Sequence, residues 1–344
     1  MRHSAIARFG AFVAGGMLLV HCSGLSQGGL MPPAGTAVRP VQPASAGGAR
    51  NGRRVSWMTK GMNDIDLLYV SNANGFVNVY RFWQHTLVGV LTNFTQPTGE
   101  CADAVGNVYI VDHSTSKIYE YAHGGTKAIK TLDDSPNSPD GCSVDHNTGN
   151  LAVANDPYGY YSKGNIAIWL HATGKPKIYY GASYNDHFTD CAYDDRGDLF
   201  TTSIYGYLSF YTEFFYLPRL GSQLLLMNMP GQQSGWGYVQ GVAWDGKYWI
   251  VSMDNVLYQF TINIKAKLIG SVTLNGGYGV VSQISFYRKS LKSQATQVLG
   301  GSTSQGYKSS VVEFWKYPAG GNPFASVTKN LDQPFGTAIS LGAN

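Results

Sequence analysis

Glu100, Asp140, Asp190, Gln240 and Gln283 stand at, or just before, one recurring point of the sequence. Each precedes or opens a short phrase: Gly99-Glu-Cys-Ala-Asp103, Asp140-Gly-Cys-Ser-Val-Asp145, Thr189-Asp-Cys-Ala-Tyr-Asp194 and Gln240-Gly-Val-Ala-Trp-Asp245, with a weaker copy at Ser282-Gln-Ile-Ser-Phe286. Side chains repeated at one place in a closed ring of strands converge on its axis. Three of them, Glu100, Asp140 and Asp190, are carboxylates, and converging oxygens suit Ca²⁺ or Mg²⁺. A plain hydrated channel is the other reading of the same residues. His113 and His187 are the histidines that fall at the same end of the repeats, where proton abstraction next to a metal would need them. Glu100, His113 and His187 are therefore the candidate catalytic residues, and Glu100, Asp140 and Asp190 the candidate metal ligands.

A second kind of chemistry lies in the intervening segments. Asn155 to Tyr161 carries Tyr158 and Tyr160, and Ser203 to Ser222 carries Tyr205, Tyr207, Phe210, Tyr211, Phe214, Phe215 and Tyr216. Trp236 and Tyr238 precede another copy of the phrase. Aromatic rings with hydroxyls and few charges suit a glycan, an aromatic small molecule or a protein partner. Tyr158, Tyr160, Tyr205, Tyr207, Tyr211, Tyr216, Trp236 and Tyr238 are the expected ligand-binding residues. The alternative for 203–222 is a hairpin packed on its own neighbours.

These residues need a scaffold, and the repeats supply it. After each strong copy comes a Gly-polar turn and a second apolar run: Gly106-Asn-Val-Tyr, Gly149-Asn-Leu-Ala, Gly197-Asp-Leu-Phe and Gly246-Lys-Tyr-Trp. A third phrase follows, as Val77-Asn-Val-Tyr-Arg-Phe, Lys117-Ile-Tyr-Glu-Tyr, Asn165-Ile-Ala-Ile-Trp, Gln223-Leu-Leu-Leu-Met, Asn255-Val-Leu-Tyr-Gln-Phe and Val311-Val-Glu-Phe-Trp. Spacings of roughly 41 to 53 residues are those of propeller blades. The pattern predicts an all-β, six-bladed propeller with four-stranded blades over 55–344. The inner strand of the blade that contains 67–91 is expected to be Gly336 to Leu341, so that the C-terminal strand closes the ring, with Trp57 packed outside it.

The pattern Pro-x-Gly-(apolar)-(small)-(apolar)-Asp, then Gly-Asn-(apolar)-Tyr-(apolar)-x-Asp, resembles NHL-type repeats. Pro139 to Asp145 with Gly149 to Asp156 is the nearest copy. The resemblance implies a six-bladed ring over roughly 66–341. Rings similar in fold include streptogramin lyases, gluconolactonase-type lactonases and binding domains without activity, so the resemblance leaves a metal-dependent lyase or lactonase open beside a binding protein.

Composition narrows the partners. Of 25 Lys+Arg, six (Arg2, Arg8, Arg39, Arg50, Arg53 and Arg54) precede Val55, which leaves 19 against all 21 Asp+Glu in the remainder. No basic face remains for nucleic acid. Residues 1–22 read as a signal peptide, with Arg2, His3 and Arg8 ahead of the apolar run Phe9 to Val20. Cys22 follows Leu19-Val20-His21 in a lipobox-like position, so lipidation of Cys22 and membrane contact through that lipid are open. Residues 23–54, rich in Gly, Ala, Ser and Pro, are expected to be a disordered tether. The expected location is extracytoplasmic, secreted or anchored in a bacterial envelope. Cys101, Cys142 and Cys191 are read as equivalent positions of successive repeats, and hence as buried, unpaired core residues. The sequence contains no Gly-x-Ser-x-Gly elbow and no His-Glu-x-x-His pair.

Overall fold

The computed structural model describes residues 55–343 apart from 158–162, 183–185, 206–210, 231–238, 264, 277–280, 291 and 304–309. The described residues form six antiparallel sheets and contain no α-helix. The first sheet holds β1 (Trp57–Met58), β2 (Leu67–Asn72), β3 (Val77–Arg81) and β4 (Thr86–Leu91). The second holds β5 (Pro97–Ala102), β6 (Val108–Asp112), β7 (Lys117–Tyr121) and β8 (Ala128–Asp133). The third is β9 (Pro139–Val144), β10 (Leu151–Asn155), β11 (Asn165–Trp169) and β12 (Lys177–Tyr179). The fourth is β13 (Asp186–Tyr193), β14 (Leu199–Tyr205), β15 (Tyr211–Leu217) and β16 (Leu225–Met227). The fifth is β17 (Val239–Trp244), β18 (Trp249–Met253), β19 (Val256–Ile262) and β20 (Ala266–Thr273). The sixth is β21 (Val281–Tyr287), β22 (Gln297–Thr303), β23 (Ser310–Lys316) and β24 (Ala325–Val327).

β25 (Pro334–Ser340) pairs with β2, Leu67 opposite Ser340, and so becomes the inner strand of the first blade. The ring is a six-bladed propeller closed by its C-terminal strand, as the sequence predicts. β1 adds to the outer edge of that blade, Trp57 opposite Val90, and leaves Trp57 45% exposed on the outside.

Each strand sends alternate side chains to opposite sheet faces, and in a ring both faces are covered by neighbours. Leu67 and Tyr69 pack on Val108 and Ile110 of the second blade, while Leu68 and Val70 pack on Leu299 and Val312 of the sixth. Six such apolar clusters fill the six interfaces between blades. The Asp that ends the repeated phrase ties the following turn. Asp103 Oδ1 accepts the amides of Val105 and Asn107, Asp194 Oδ1 those of Arg196 and Asp198, and Asp245 Oδ1 those of Lys247 and Tyr248. The Gly of the phrase answers a different need. The inner strands crowd together at their N-terminal ends, and a Cβ on Gly141 would lie 2.7 Å from the Thr189 carbonyl oxygen, so any larger residue would push adjacent blades apart.

The structure corrects the reading of the cysteines. Cys101 and Cys142 form a disulfide between the inner strands of the second and third blades, with Cα atoms 5.7 Å apart, and Cys191 is the buried free thiol among the described residues. The three are not equivalent. Counted back from the turn Asp, Cys142 and Cys191 lie three residues away but Cys101 lies two from Asp103. One residue along a strand reverses the side chain. Cys101 therefore faces the third blade, while Cys142 faces back to the second and meets it.

A second correction concerns 203–222. The third strand of the fourth blade is β15, paired with β14 from Leu199↔Leu217 to Tyr205↔Tyr211. Gln223-Leu-Leu-Leu-Met supplies the fourth strand instead. Phe214 and Phe215 are fully buried, and Tyr216 is 9% exposed within the cluster between the fourth and fifth blades. The aromatic segment is thus largely a hairpin whose rings build the core.

Candidate functional site

The ring has two faces. Chain enters the inner strands at the upper face, and inner strands turn into second strands at the lower face. At the upper end the channel is plugged. The Glu100 amide donates to Gln283 Oε1 at 3.0 Å, and Gln283 Nε2 donates back to the Glu100 carbonyl at 3.1 Å. Gln283 also donates to the Asp190 carboxylate. Asp190 Oδ2 accepts the Val242 amide at 3.0 Å and Oδ1 the amide of Cys191 at 2.9 Å, while Glu100 Oε1 accepts from Ser71 at 2.7 Å. Glu100 and Asp190 are each 2% exposed. Burial raises the Glu100 carboxyl well above the usual range, against the lowering bond from Ser71. Burial likewise lifts Asp190 to about 7 in spite of its amide donors.

Beside the plug, the third and fourth blades gather a titratable cluster. His187 on β13 donates from Nδ1 to Asp156 Oδ1 at 2.6 Å, and both side chains keep partial contact with solvent (23% and 33%). That bond raises the imidazole above its ordinary value, and desolvation opposes it. Asp140 is half-buried, and it is pushed up to about 8 by burial first and then by repulsion from Asp156 and Asp190. His113 donates from Nδ1 to the Pro139 carbonyl at 3.1 Å, and burial holds its imidazole below the ordinary value. The second and third blades place His113 and Asp156 at the same point, one residue beyond their second strands.

The structure therefore brings His113, His187, Asp140 and Asp190 into one neighbourhood and adds Asp156, which the sequence reading passed over. Its signal was its place after the second strand, matching His113. Glu100 lies apart, in the plug between the first and second blades. Among the described residues, no group of three His, Cys, Asp or Glu side chains is arranged to hold a metal ion. Of the expected ligand-binding residues, Tyr216 lies at the opposite end of the blade, in the core, because its backbone pairs with Phe200 near the lower turn. Tyr158, Tyr160, Tyr207, Trp236 and Tyr238 fall outside the described residues, as do the side chains of Tyr205 and Tyr211. The backbones of Tyr205 and Tyr211 pair with each other at the upper end of the hairpin, and Tyr205 is opposite Asp186.

Below the plug the channel widens into a cavity of about 250 Å³. Its rim is made by lower-face residues, among them Asp103, His146, Asp195, Arg288 and Leu341. Arg288 crosses the mouth to grip Asp195 with two bonds of 2.8 Å.

The fold has solved counterparts. A chain in the crystal structure of a nidogen/laminin complex is similar with a TM-score of 0.59 at 13% identity, over 81% of this chain and 100% of that one. A protein of unknown function from Bacteroides caccae is similar with a TM-score of 0.58 at 10% identity, over 80% and 99%. At such identities the likeness is one of fold. No family model matches the chain, and no curated protein has a matching sequence.

Proposed function

We propose that the chain is an exported NHL-type propeller that binds a ligand or protein partner through the upper end of its fourth blade. One observation carries this reading. The sheet of β13, β14 and β15 continues past the bulge at Phe188/Asp190 to the backbone row Asp186, Tyr205 and Tyr211, so the fourth blade carries two tyrosine positions to the upper end, where His187 meets Asp156. A tyrosine-rich strand end, together with a hydrogen-bonded, solvent-reachable imidazole, suits a glycan or a polar protein surface. The nidogen/laminin structure supports a partner-binding role, since the similar chain there belongs to a protein complex. The Cys101–Cys142 bond supports export, because disulfides persist in oxidising compartments. Residues 1–22 act as the export signal, Cys22 is the lipidation candidate, and 23–54 serve as the tether.

The test uses the full chain against a glycan array and envelope proteins, comparing wild type with Tyr207→Ser and Tyr211→Ser. Binding lost in both variants, with melting unchanged, is the expected result. Binding retained in both removes the reading.

A second reading, acid–base catalysis at the upper face, is favoured by the His187–Asp156 bond together with the raised Asp140. There Asp140, pushed up to about 8, is available as an acid at neutral pH, and the bond to Asp156 raises the His187 imidazole, a pairing that an elimination or lactone hydrolysis could use. A lyase or lactonase that uses Ca²⁺ or Mg²⁺ would retain the ion after dialysis and lose turnover with His187→Gln.

A further inference from the structure

The lower cavity is separated from the upper face by the Glu100–Gln283–Asp190 plug, so whatever enters it comes from the turn side of the ring. None of the residues at the upper starts of the inner strands, such as Pro97, Pro139 or Pro334, lines it. It is a blind pocket on the ring axis, and three properties define its occupant.

The first is size. A volume of about 250 Å³ falls just below the roughly 300 Å³ at which pockets begin to enclose drug-sized ligands. The second is charge. The rim cation Arg288 is spent on Asp195 and the Ser293 carbonyl, so no free guanidinium awaits an anion. Of the floor carboxyls, Asp190 holds the amides of Cys191 and Val242 and Glu100 accepts from Ser71 through Oε1, and burial raises both toward the uncharged form, so they offer a cation little. The third is the wall. Ser143, Ser285 and Thr337 bring hydroxyls to the cavity, and Tyr193, Trp244 and Phe286 bring aromatic surface. Ser143 Oγ accepts the Tyr193 amide at 3.0 Å and keeps its own proton to donate. Ser285 Oγ donates to the Thr337 carbonyl at 2.5 Å, so Thr337 Oγ1 is the donor across their 2.9 Å contact and the pair offers a ligand acceptor lone pairs.

From this geometry we propose that the lower channel is a binding pocket for an uncharged polyhydroxylated molecule of monosaccharide size. Hydroxyl donors and acceptors match such a ligand, and the aromatic walls match the C–H faces of a sugar ring. The pocket is independent of the upper-face reading, because the plug lies between them.

The test titrates D-glucose, D-galactose and myo-inositol into the full chain by saturation-transfer NMR and calorimetry, with glucosamine and glucose 6-phosphate as charged counterparts. Ala243→Leu fills the channel from the wall and Ser285→Val removes a hydroxyl, so either variant keeps the test alive if the other misfolds. At least one neutral probe should bind saturably. In either folded variant it should bind about tenfold more weakly or worse, the scale of a mismatched pocket group. Tyr211→Ser should leave that affinity unchanged. No saturable binding by any neutral probe, equal binding by the charged counterparts, or binding that survives both folded channel variants would each overturn the proposal.

Discussion

Gln283 bonds in both directions to the backbone of Glu100, and the inner strand of the first blade lies between their two strands. The pair spans the narrow end of the channel and couples the sixth blade to the second. The side chain thus does what a third strand-to-strand ladder would do elsewhere, at a point where the strands converge too closely for one. Gly336 sits under this bridge, and a Cβ there would lie 3.0 Å from Gln283 Oε1.

Removing the bridge leaves two backbone groups and Asp190 short of a partner. Gln283→Leu should destabilise the ring by about 1–3 kcal/mol, the cost of unsatisfied buried polar groups. Urea denaturation of the purified variant measures this, and an unchanged midpoint would show that water replaces the amide.

The disulfide invites a matched pair of experiments. Non-reducing peptide mapping should find Cys101 joined to Cys142, which are 41 residues apart, and Cys191 as a free thiol. Cys142→Ser should cost roughly 2–5 kcal/mol. Ser143 holds in the third blade the place Cys101 holds in the second, two residues before the turn Asp, and it already touches the amide of Tyr193, two residues after Cys191. Ser143→Cys should therefore yield a second bridge, to Cys191, visible in the peptide map as disappearance of the free Cys191 thiol. Free thiols at both position 143 and Cys191 would show that the blades are not related by that equivalence.

The same one-residue offset shows what was legible in the chain. The ring, its blade count and its closure by Pro334–Ser340 follow from a phrase repeated at regular intervals, because each copy must solve the same packing problem. Strand facing depends on single residues, so a comparison of Cys with Cys, made without counting to the Asp, reversed Cys101. The hairpin from Tyr205 to Tyr211 misled for a related reason. Phe214 and Phe215 read as binding aromatics because Leu224-Leu-Leu-Met227 is the stronger strand phrase, yet it is taken by the outer strand. The Asp156–His187 contact joins residues 31 apart in two blades, and only the curvature of the ring brings them together.

Protons stored at the upper face give a pH dependence with a definite sign. Asp140 and Asp190 are raised to about 8 and about 7 from 3.8, so the native state holds protons that the unfolded chain has released. Their contribution is complete below the unfolded value and is lost as pH rises through 7 and 8. His187, also raised, acts in the same direction, and the lowered His113 opposes it only on the acid side. Stability should fall between about pH 4 and pH 8, and Asp140→Asn should flatten the slope. Melting curves across that range decide it, and a rise toward pH 8 would refute the assignment.

The two ends of the fourth-blade hairpin should part company under mutation. Tyr216 is packed between blades, and its hydroxyl donates to Asp198, which also receives Arg196 at 3.1 Å and the Arg219 amide at 2.8 Å. Tyr216→Ser removes a buried ring and leaves that carboxylate with one donor fewer. Large-to-small changes of this kind cost about 3–5 kcal/mol. Tyr211 pairs through its backbone with Tyr205 at the last rung of the β14–β15 ladder, at the other end of the hairpin from Tyr216. Tyr211→Ser should therefore melt within a few degrees of wild type, while binding at the upper face weakens by roughly 1–3 kcal/mol if this tyrosine is an anchor. Thermal denaturation of both variants, followed by titration of the folded one with whatever partner the array or the envelope fraction yields, separates the two roles. A Tyr211→Ser protein that unfolds would make the whole hairpin part of the core, and the upper face would then have to bind through His187 and Asp156 alone.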